Sequence, residues 1–258
     1  MSSLMTVVTL SIAAMLLAWN WQKNHVNAGI VDVVWAYGMM FAGVFYAFTG
    51  AGPLLIKLSL GVLTFSWFMR LGIYLQRRVL PESEDGRYQA MRRSMKEHAT
   101  LGFLLFFILQ AGFIVLLSLP FWVVAQNMQP QPALVAAALI LAALSLYGET
   151  TADQQLATFK SNPEHHGVTC RQGWWRYSRH PNYYFEWLHW FAYPLLGWGS
   201  SYQYELWLAP IVMFCFLYFL TGIPFTEQQA LRSRGEDYRK YQQTTSKFIL
   251  WWPKSKSD

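Results

Sequence analysis

Seven runs of about 17–24 mostly apolar residues constrain this chain more than any other feature of its sequence. An α-helix needs roughly 20 apolar residues to cross a hydrocarbon core about 30 Å thick. Charged residues make up only 13% of the chain, about half the roughly 25% that is usual in soluble domains. We therefore predict an all-α integral membrane protein with seven transmembrane helices, at about 4–20, 29–49, 54–75, 101–124, 133–150, 183–199 and 205–224.

Two of these runs need separate comment. The sixth contains Glu186, His189 and Pro194, which favours a tilted or interrupted helix. The first run lacks the basic n-region and the Ala-x-Ala exit of a signal peptide, so we interpret it as a helix of the mature protein.

The basic residues predict the orientation. All but two of the 20 Lys and Arg residues lie in the alternate segments 20–28, 76–100 and 151–182 and in the C-terminal tail. By the positive-inside rule, the N-terminus is then outside and the C-terminus cytoplasmic. The net charge of +6 fits this rule and attraction to anionic membrane lipids, so no nucleic-acid partner is expected. If the protein is bacterial, we expect a multi-pass protein of the inner (cytoplasmic) membrane.

The chain is predicted to form one membrane domain over residues 1–258. Loops 76–100 and 151–182 and tail 225–258 carry most of the polar residues and are expected to close a cofactor site. A GxGxxG turn and a P-loop are both absent from the sequence, so a nucleotide would be held without either. Cys170 and Cys215 form no CxxC pattern, and no metal site is predicted.

Polar residues in the first half form a stripe on the third span. Trp67, Arg70, Tyr74 and Arg78 lie at offsets 0, 3, 7 and 11 on one helix face. The position of Arg78 is well explained if its side chain extends along the helix so that its charged end reaches the membrane interface. The same extension explains Arg70 poorly, because that residue lies deeper, so Arg70 is interpreted as functional.

Two further positions in this half are candidates. Arg87 and Tyr88 could be part of a solvated loop, or could supply a phosphate fork and a ring that stacks on a base. Asp32, near the start of the second span, could cap a helix. Alternatively, an acid facing a membrane cavity would stay protonated and could donate a hydrogen bond or a proton.

In the second half, Glu149, Asp153 and Lys160 share one helix face at offsets 0, 4 and 11. Like charges one turn apart repel, so the two carboxylates are interpreted as acceptors for ribose hydroxyls or an amide.

The segment from Arg179 to Glu186 is the most informative polar stretch. Pro181 suits the first turn of a helix, which places Asn182 and Glu186 one turn apart on the same face. Arg179 and His180 then lie at the helix N-terminus, where anions are favoured. An ordinary interfacial helix start is the alternative.

The tail contributes Glu227, with Tyr238 and Tyr241 on one helix face three residues apart. Packing could explain the tail, and Glu227 is a further candidate ligand.

Together these motifs resemble the steroid 5α-reductase family, specifically its bacterial membrane branch of the DUF1295 type, over about residues 27–250. Similar Arg-His-Pro-x-Tyr-x-x-Glu stretches occur in sterol C14-reductase-like enzymes and in isoprenylcysteine carboxyl methyltransferases. The motifs that carry the resemblance are Asp32, the Arg70–Arg78 stripe, Glu84-Asp85-x-Arg87-Tyr88, Ala152-Asp153-x-x-Leu156-x-x-Phe159-Lys160, Gly173-x-Trp175-Arg176-Tyr177-x-Arg179-His180-Pro181-Asn182-Tyr183-x-x-Glu186 and the Glu227–Tyr241 tail.

The resemblance implies a seven-helix, NADPH-dependent reductase of the Δ4 C=C bond of 3-keto steroids or similar apolar enones. The family holds the ketone with an acid and a tyrosine on consecutive spans. Asp32 fits the acid, Trp67 falls near the expected tyrosine, and Tyr37 or Tyr74 is a candidate substitute.

The resemblance and the polar stripes together predict a cofactor site. Lys160 and Arg171 are expected nearer the adenosine phosphates, and a cation for the 2′-phosphate is expected among Arg171, Arg87 and Arg78. The predicted cofactor contacts are Arg70, Tyr74, Arg78, Arg87, Tyr88, Asp153, Lys160, Arg171, Tyr177, Arg179, His180, Asn182, Tyr183, Glu186, Glu227, Tyr238 and Tyr241.

The expected partners are an apolar steroid or enone that enters from the bilayer and the membrane lipids, and the chain is expected to be a monomer. Two alternatives remain open from the sequence. One is an S-adenosylmethionine-dependent membrane methyltransferase of the isoprenylcysteine carboxyl methyltransferase type. The other is a sterol- or lipid-binding scaffold without enzymatic activity.

Overall fold

The structure, a computed structural model, describes residues 3–254. Over this range the chain is helical, without strands. Short 3₁₀ turns and a π-helical turn at Phe216–Leu220 connect some of the helices. The α-helices are α1 (Ser3–His25), α2 (Ile30–Thr49), α3 (Leu54–Val79), α4 (Gly86–Met95), α5 (Ala99–Ala125), α6 (Pro132–Ser161), α7 (Pro181–His189), α8 (Ala192–Leu196), α9 (Leu208–Cys215) and α10 (Ile223–Thr244).

Six helical stretches of the described chain are long and apolar enough to cross a membrane. This confirms a multi-pass, all-helical membrane protein, while the count of seven spans and the orientation of the termini stay predictions. The six stretches are Ser3–His25, Ile30–Thr49, Leu54–Val79, Gly86–Ala125, Pro132–Ser161 and Glu205–Thr244.

The remaining predicted span, 183–199, is interrupted. It consists of the two short helices α7 and α8, separated at Trp190 and Phe191. Pro194 has no N–H to donate to the carbonyl of Trp190, which lies at the point where α7 ends. The interruption expected from Glu186, His189 and Pro194 is therefore present.

The chain divides into two compact units, which are described separately. The first comprises Met1–Val135 with Leu196–Gln203, and the second Ala136–Leu195 with Tyr204–Asp258. The prediction of a single domain stays a prediction. In the first unit, α2 lies at the centre and packs against α1, α3 and α5. Aromatic rings fill the core; for example, the ring centroids of Phe68 and Phe121 are 5.9 Å apart.

A glycine allows the close packing of α2 on α3. A Cβ atom added at Gly43 would overlap the side chain of Thr64. Both residues are buried, and Thr64 donates its hydroxyl to the Leu60 carbonyl at 2.8 Å. Rotating Thr64 away would therefore cost this hydrogen bond.

In the second unit, α6 extends beyond the apolar run and carries Asp153 and Lys160 in its last turns. After α10, the chain from 245 onward runs beside the segment that precedes α7. Backbone hydrogen bonds join Arg179 N–H to the Ser246 carbonyl at 2.9 Å and Trp251 N–H to the Tyr177 carbonyl at 3.0 Å. The tail is thus fixed to the segment that carries the Arg-His-Pro motif.

We predict that Gly43→Ala destabilises the protein by about 1–3 kcal/mol, because the added methyl group has no room beside Thr64. Thermal unfolding in detergent micelles measures this change. Gly112→Ala is the matched control, since a Cβ at Gly112 on α5 meets no atom within 4 Å. Equal stabilities for the two variants would contradict the close packing of α2 on α3.

Candidate functional site

The acid at the start of α2 contacts a tyrosine from α4. The hydroxyl of Tyr88 donates to Oδ1 of Asp32 at 2.8 Å, and Nη2 of Arg87 lies 3.6 Å from Oδ2. The Tyr88 residue is 5% exposed, whereas the Asp32 side chain is 32% exposed. Asp32 can therefore be reached by a ligand while Tyr88 is held in the packing.

Asp85 connects the two arginines of this cluster. It caps α4 by accepting the Arg87 N–H at 2.9 Å, and its carboxylate also binds Arg87 Nε at 3.2 Å and Arg78 Nη2 at 2.7 Å. Burial alone would raise the pKa of Asp85. The hydrogen bonds and charge of Arg87, together with the charge of Arg78, have the larger effect, so the pKa of Asp85 lies below its usual value. The carboxylate is therefore ionised and holds both guanidinium groups.

These residues line a pocket of about 70 Å³. That volume has room for a few water molecules or one small polar group, and not for a steroid ring system. The pocket therefore suits the polar end of a larger ligand. Its lining comprises Asn27, Gly29, Asp32, Leu75, Arg78, Val79, Glu82, Ser83, Asp85, Arg87 and Tyr88.

The other residues predicted for catalysis in this unit have different contacts. The Tyr37 hydroxyl donates to Oε1 of Gln76 at 2.8 Å. Trp67 is buried, and the guanidinium carbon of Arg70 lies 5.7 Å from its ring centroid. Tyr74 is 43% exposed. The geometry thus favours Tyr88, which the sequence suggested only as a ring for base stacking, as the tyrosine that partners Asp32.

In the second unit, Arg179 and Glu227 form a buried ion pair. Arg179 Nε donates to Glu227 Oε1 at 2.8 Å, and the two side chains are only 8% and 15% exposed. Arg179 Nη1 also donates to the Gln242 carbonyl at 2.8 Å. Glu227 further accepts the hydroxyl of Tyr238 at 3.3 Å and the amide of Gln242 at 3.1 Å. This pair fixes α10 and the tail to the segment that precedes α7.

His180 extends this cluster toward α7. Its Nε2 lies 3.4 Å from Glu227 Oε1, and its ring is parallel to that of Tyr183, with centroids 5.6 Å apart. Burial lowers the pKa of His180, and the nearby charges of Arg179 and Lys247 act in the same direction, so the opposing effect of Glu227 is outweighed. His180 is therefore neutral near pH 7.

The first turns of α7 are placed as the sequence predicted. The helix begins at Pro181, and Asn182 donates its side-chain amide to Oδ1 of Asp153 at 3.4 Å. The Trp190 indole N–H donates to Glu186 Oε1 at 3.0 Å. The structure therefore brings Asp153 and Asn182 together and supplies a donor for Glu186 that the sequence pattern had not indicated.

Arg171 and Tyr241 have partners within the same unit. Arg171 Nη2 binds Asp237 Oδ1 at 2.6 Å and the Asp237 carbonyl at 2.8 Å. The hydroxyl of Tyr241 donates to the carbonyls of Trp175 and Ser178. Tyr241 is therefore part of the packing of the tail, and one amino group of Arg171 is already engaged.

The two remaining predicted residues lie at the edge of this unit. Lys160 is exposed on the last turn of α6. Tyr177 packs edge-to-face against Trp252, with ring centroids 5.2 Å apart. For all of these residues, cofactor contact stays a prediction.

The long apolar helices define the described chain as a multi-pass, all-helical membrane protein. Its helices and loops also carry two clusters of polar side chains. Residues 18–245 match the family described as protein of unknown function (DUF1295). The chain belongs to this family, which is related to the steroid 5α-reductase family. No curated protein and no solved structure matches the chain.

We predict that Arg179→Met destabilises the protein by up to about 3–5 kcal/mol, because it leaves the buried Glu227 carboxylate without its cation. Thermal unfolding in micelles measures the loss. The double variant Arg179→Met/Glu227→Leu should recover much of it, since neither charge then remains buried.

Arg171→Met is the control for removing an arginine. Its ion pair with Asp237 is partly exposed, at 42% and 32%, so its loss should cost about 0–1 kcal/mol. Similar losses for Arg171→Met and Arg179→Met would refute the structural role of the buried pair.

Proposed function

We propose that this protein is an NADPH-dependent reductase of the Δ4 C=C bond of 3-keto steroids or similar apolar enones. The observation that carries the proposal is the 2.8 Å hydrogen bond between Tyr88 and Asp32. An acid and a tyrosine in contact, next to a small polar pocket, suit the polarisation of a ketone oxygen. Family membership adds support, because the family is related to the steroid 5α-reductases.

Asp32 and Tyr88 would bind the ketone oxygen of the substrate. When hydride adds to the β-carbon, the C=C electrons move toward the carbonyl and negative charge develops on its oxygen. For both groups to donate, Asp32 must be protonated and the Tyr88 hydroxyl must turn from Oδ1 of Asp32, to which it donates in this structure, to the ketone oxygen. The two hydrogen bonds then stabilise that charge, as donors in an oxyanion hole do. The α-carbon then takes a proton that comes from water, which completes the saturated ketone.

The residues of the second unit have the chemistry that NADPH requires. Asp153 and Glu186 supply acceptors for ribose hydroxyls or the carboxamide N–H groups, and Asn182 supplies both a donor and an acceptor. The ring of Tyr183, which is parallel to the buried ring of His180, is a candidate for contact with the nicotinamide or the adenine. When bound, NADPH would supply the hydride.

We expect Tyr88→Phe and Asp32→Ala each to lower kcat by about 10²–10³, because each removes a donor that stabilises the developing charge. The measurement is NADPH oxidation by purified protein with progesterone or testosterone. Tyr147→Phe, at a tyrosine on α6 that is 67% exposed, is the control and should keep the parent rate.

Two outcomes would count against these roles. If Tyr37→Phe loses activity and Tyr88→Phe does not, the tyrosine that donates a hydrogen bond to the ketone oxygen is Tyr37. If the parent protein oxidises no NADPH with any Δ4-3-ketone, the proposed reaction itself is wrong.

We also expect NADPH to raise the melting temperature and S-adenosylmethionine to leave it unchanged. A ligand at 100 times its Kd stabilises the folded state by about 2.7 kcal/mol. Glu186→Gln should weaken NADPH binding by roughly 10- to 150-fold, because a hydrogen bond to a charged acceptor contributes about 1.5–3 kcal/mol.

The same titration separates the alternatives. Stabilisation by S-adenosylmethionine alone would indicate a methyltransferase. Stabilisation by a steroid alone, with neither cofactor effective, would indicate a sterol-binding scaffold.

A further inference from the structure

A second ion pair, in which the carboxylate is buried and the arginine is partly exposed, lies beside the Asp32–Tyr88 contact. Glu84, in the polar loop before α4, is only 6% exposed in its side chain. Its carboxylate forms a two-pronged ion pair with Arg92, with Nη2–Oε1 at 2.7 Å and Nε–Oε2 at 3.1 Å. Paired N–H groups on two carboxylate oxygens fix orientation as well as distance.

This ion pair connects α4 to three other helices. Oε1 of Glu84 accepts the backbone N–H of Ala28, just before α2, at 2.9 Å. Arg92 donates to the buried Gln22 of α1 at 3.0 Å. The Arg92 guanidinium carbon also lies 4.5 Å from the centroid of the Phe103 ring on α5. Glu84 and Arg92 thus fix the loop and the far turn of α4 against the bundle.

Tyr88 lies midway between the two partners, four residues from each. Arg92 is one turn beyond Tyr88 on α4, and positions four apart share one face of a helix. Glu84 lies in the loop just before the helix, so the ion pair joins the residues on either side of Tyr88. α4 has only ten residues, and Tyr88 is its one buried residue. Isolated helices of fewer than about 12–15 residues are marginal in water. The position of the Tyr88 hydroxyl therefore depends on contacts outside its own helix.

Stability alone does not account for such a pair. Burying an ion pair is often no better for stability than apolar packing of the same volume, and its best-attested use is to select one arrangement. Here the arrangement that it selects is the one in which Tyr88 meets Asp32.

We propose that Glu84 and Arg92 are positioning residues that hold the Tyr88 hydroxyl against Asp32 for enone reduction. The proposal rests on the proposed function above. The two residues act through Tyr88 and have no role of their own toward the substrate.

A double-mutant cycle tests this. Glu84→Gln keeps the shape of the side chain and removes its charge, and it should lower kcat for enone reduction by roughly 10- to 100-fold, the loss expected from a misplaced catalytic group. In a Tyr88→Phe background the same substitution should have little further effect, because the group it positions is already absent. The proposal would be overturned if the loss of kcat in the double variant equalled the product of the losses in the two single variants.

Two variants of the arginine separate positioning from general damage. Arg92→Lys keeps the charge and should retain more activity than Arg92→Met. Arg93→Met, at an exposed neighbour on the same helix, should keep the parent rate. A loss in Arg93→Met equal to that in Arg92→Met would overturn the specific role of Arg92.

A second readout needs no enzymatic activity. The coupling energy between Asp32 and Tyr88 is measured from the unfolding of the parent, of Asp32→Ala, of Tyr88→Phe and of the double variant. The coupling free energy should be measurable when Glu84 is present, and it should fall sharply when the same four proteins carry Glu84→Gln. An unchanged coupling would refute the positioning role. A lost coupling in a protein without enone reductase activity would uphold the positioning role and refute only the proposed function.

Discussion

Charges held out of water require a partner, and both polar clusters of this protein are built on that requirement. A buried carboxylate with no cation costs several kcal/mol, so each buried acid fixes the element that carries its arginine. Glu84 and Arg92 fix α4 in the first unit. Arg179 and Glu227 fix α10 and the tail in the second. Short polar helices and loops gain a defined position from these pairs.

A pocket distinguishes the groups that can bind a ligand from those that hold the structure. The two ion pairs bind protein partners, and their side chains are 6–15% exposed except for Arg92, at 28%. Asp32 and Arg87, at 32% and 50%, are more accessible and line a pocket. A ligand can replace water at such groups without breaking the packing. This difference makes Asp32 the better candidate for contact with a substrate than Arg179.

The local features of the fold were largely predictable. Apolar runs predicted the long helices, and Pro181 predicted the start of α7. Glu186, His189 and Pro194 together indicated a tilted or interrupted sixth span, and the structure shows the interruption. The partners of single residues were not predictable. Arg179 was interpreted as an anion ligand because it lies at a helix start, yet its guanidinium binds Glu227, 48 residues further along the chain. Helical periodicity contains no information on contacts over such separations.

The sequence by itself determined the membrane class, the long helices and the set of polar residues available for chemistry, because hydropathy and proline act locally. The tertiary structure decided which of those residues meet. Tyr88 and Asp32 are 56 residues apart, and only the packing of α4 against the bundle brings them into contact. That packing depends on side-chain shape and on the satisfaction of buried charge, two properties of the folded chain as a whole.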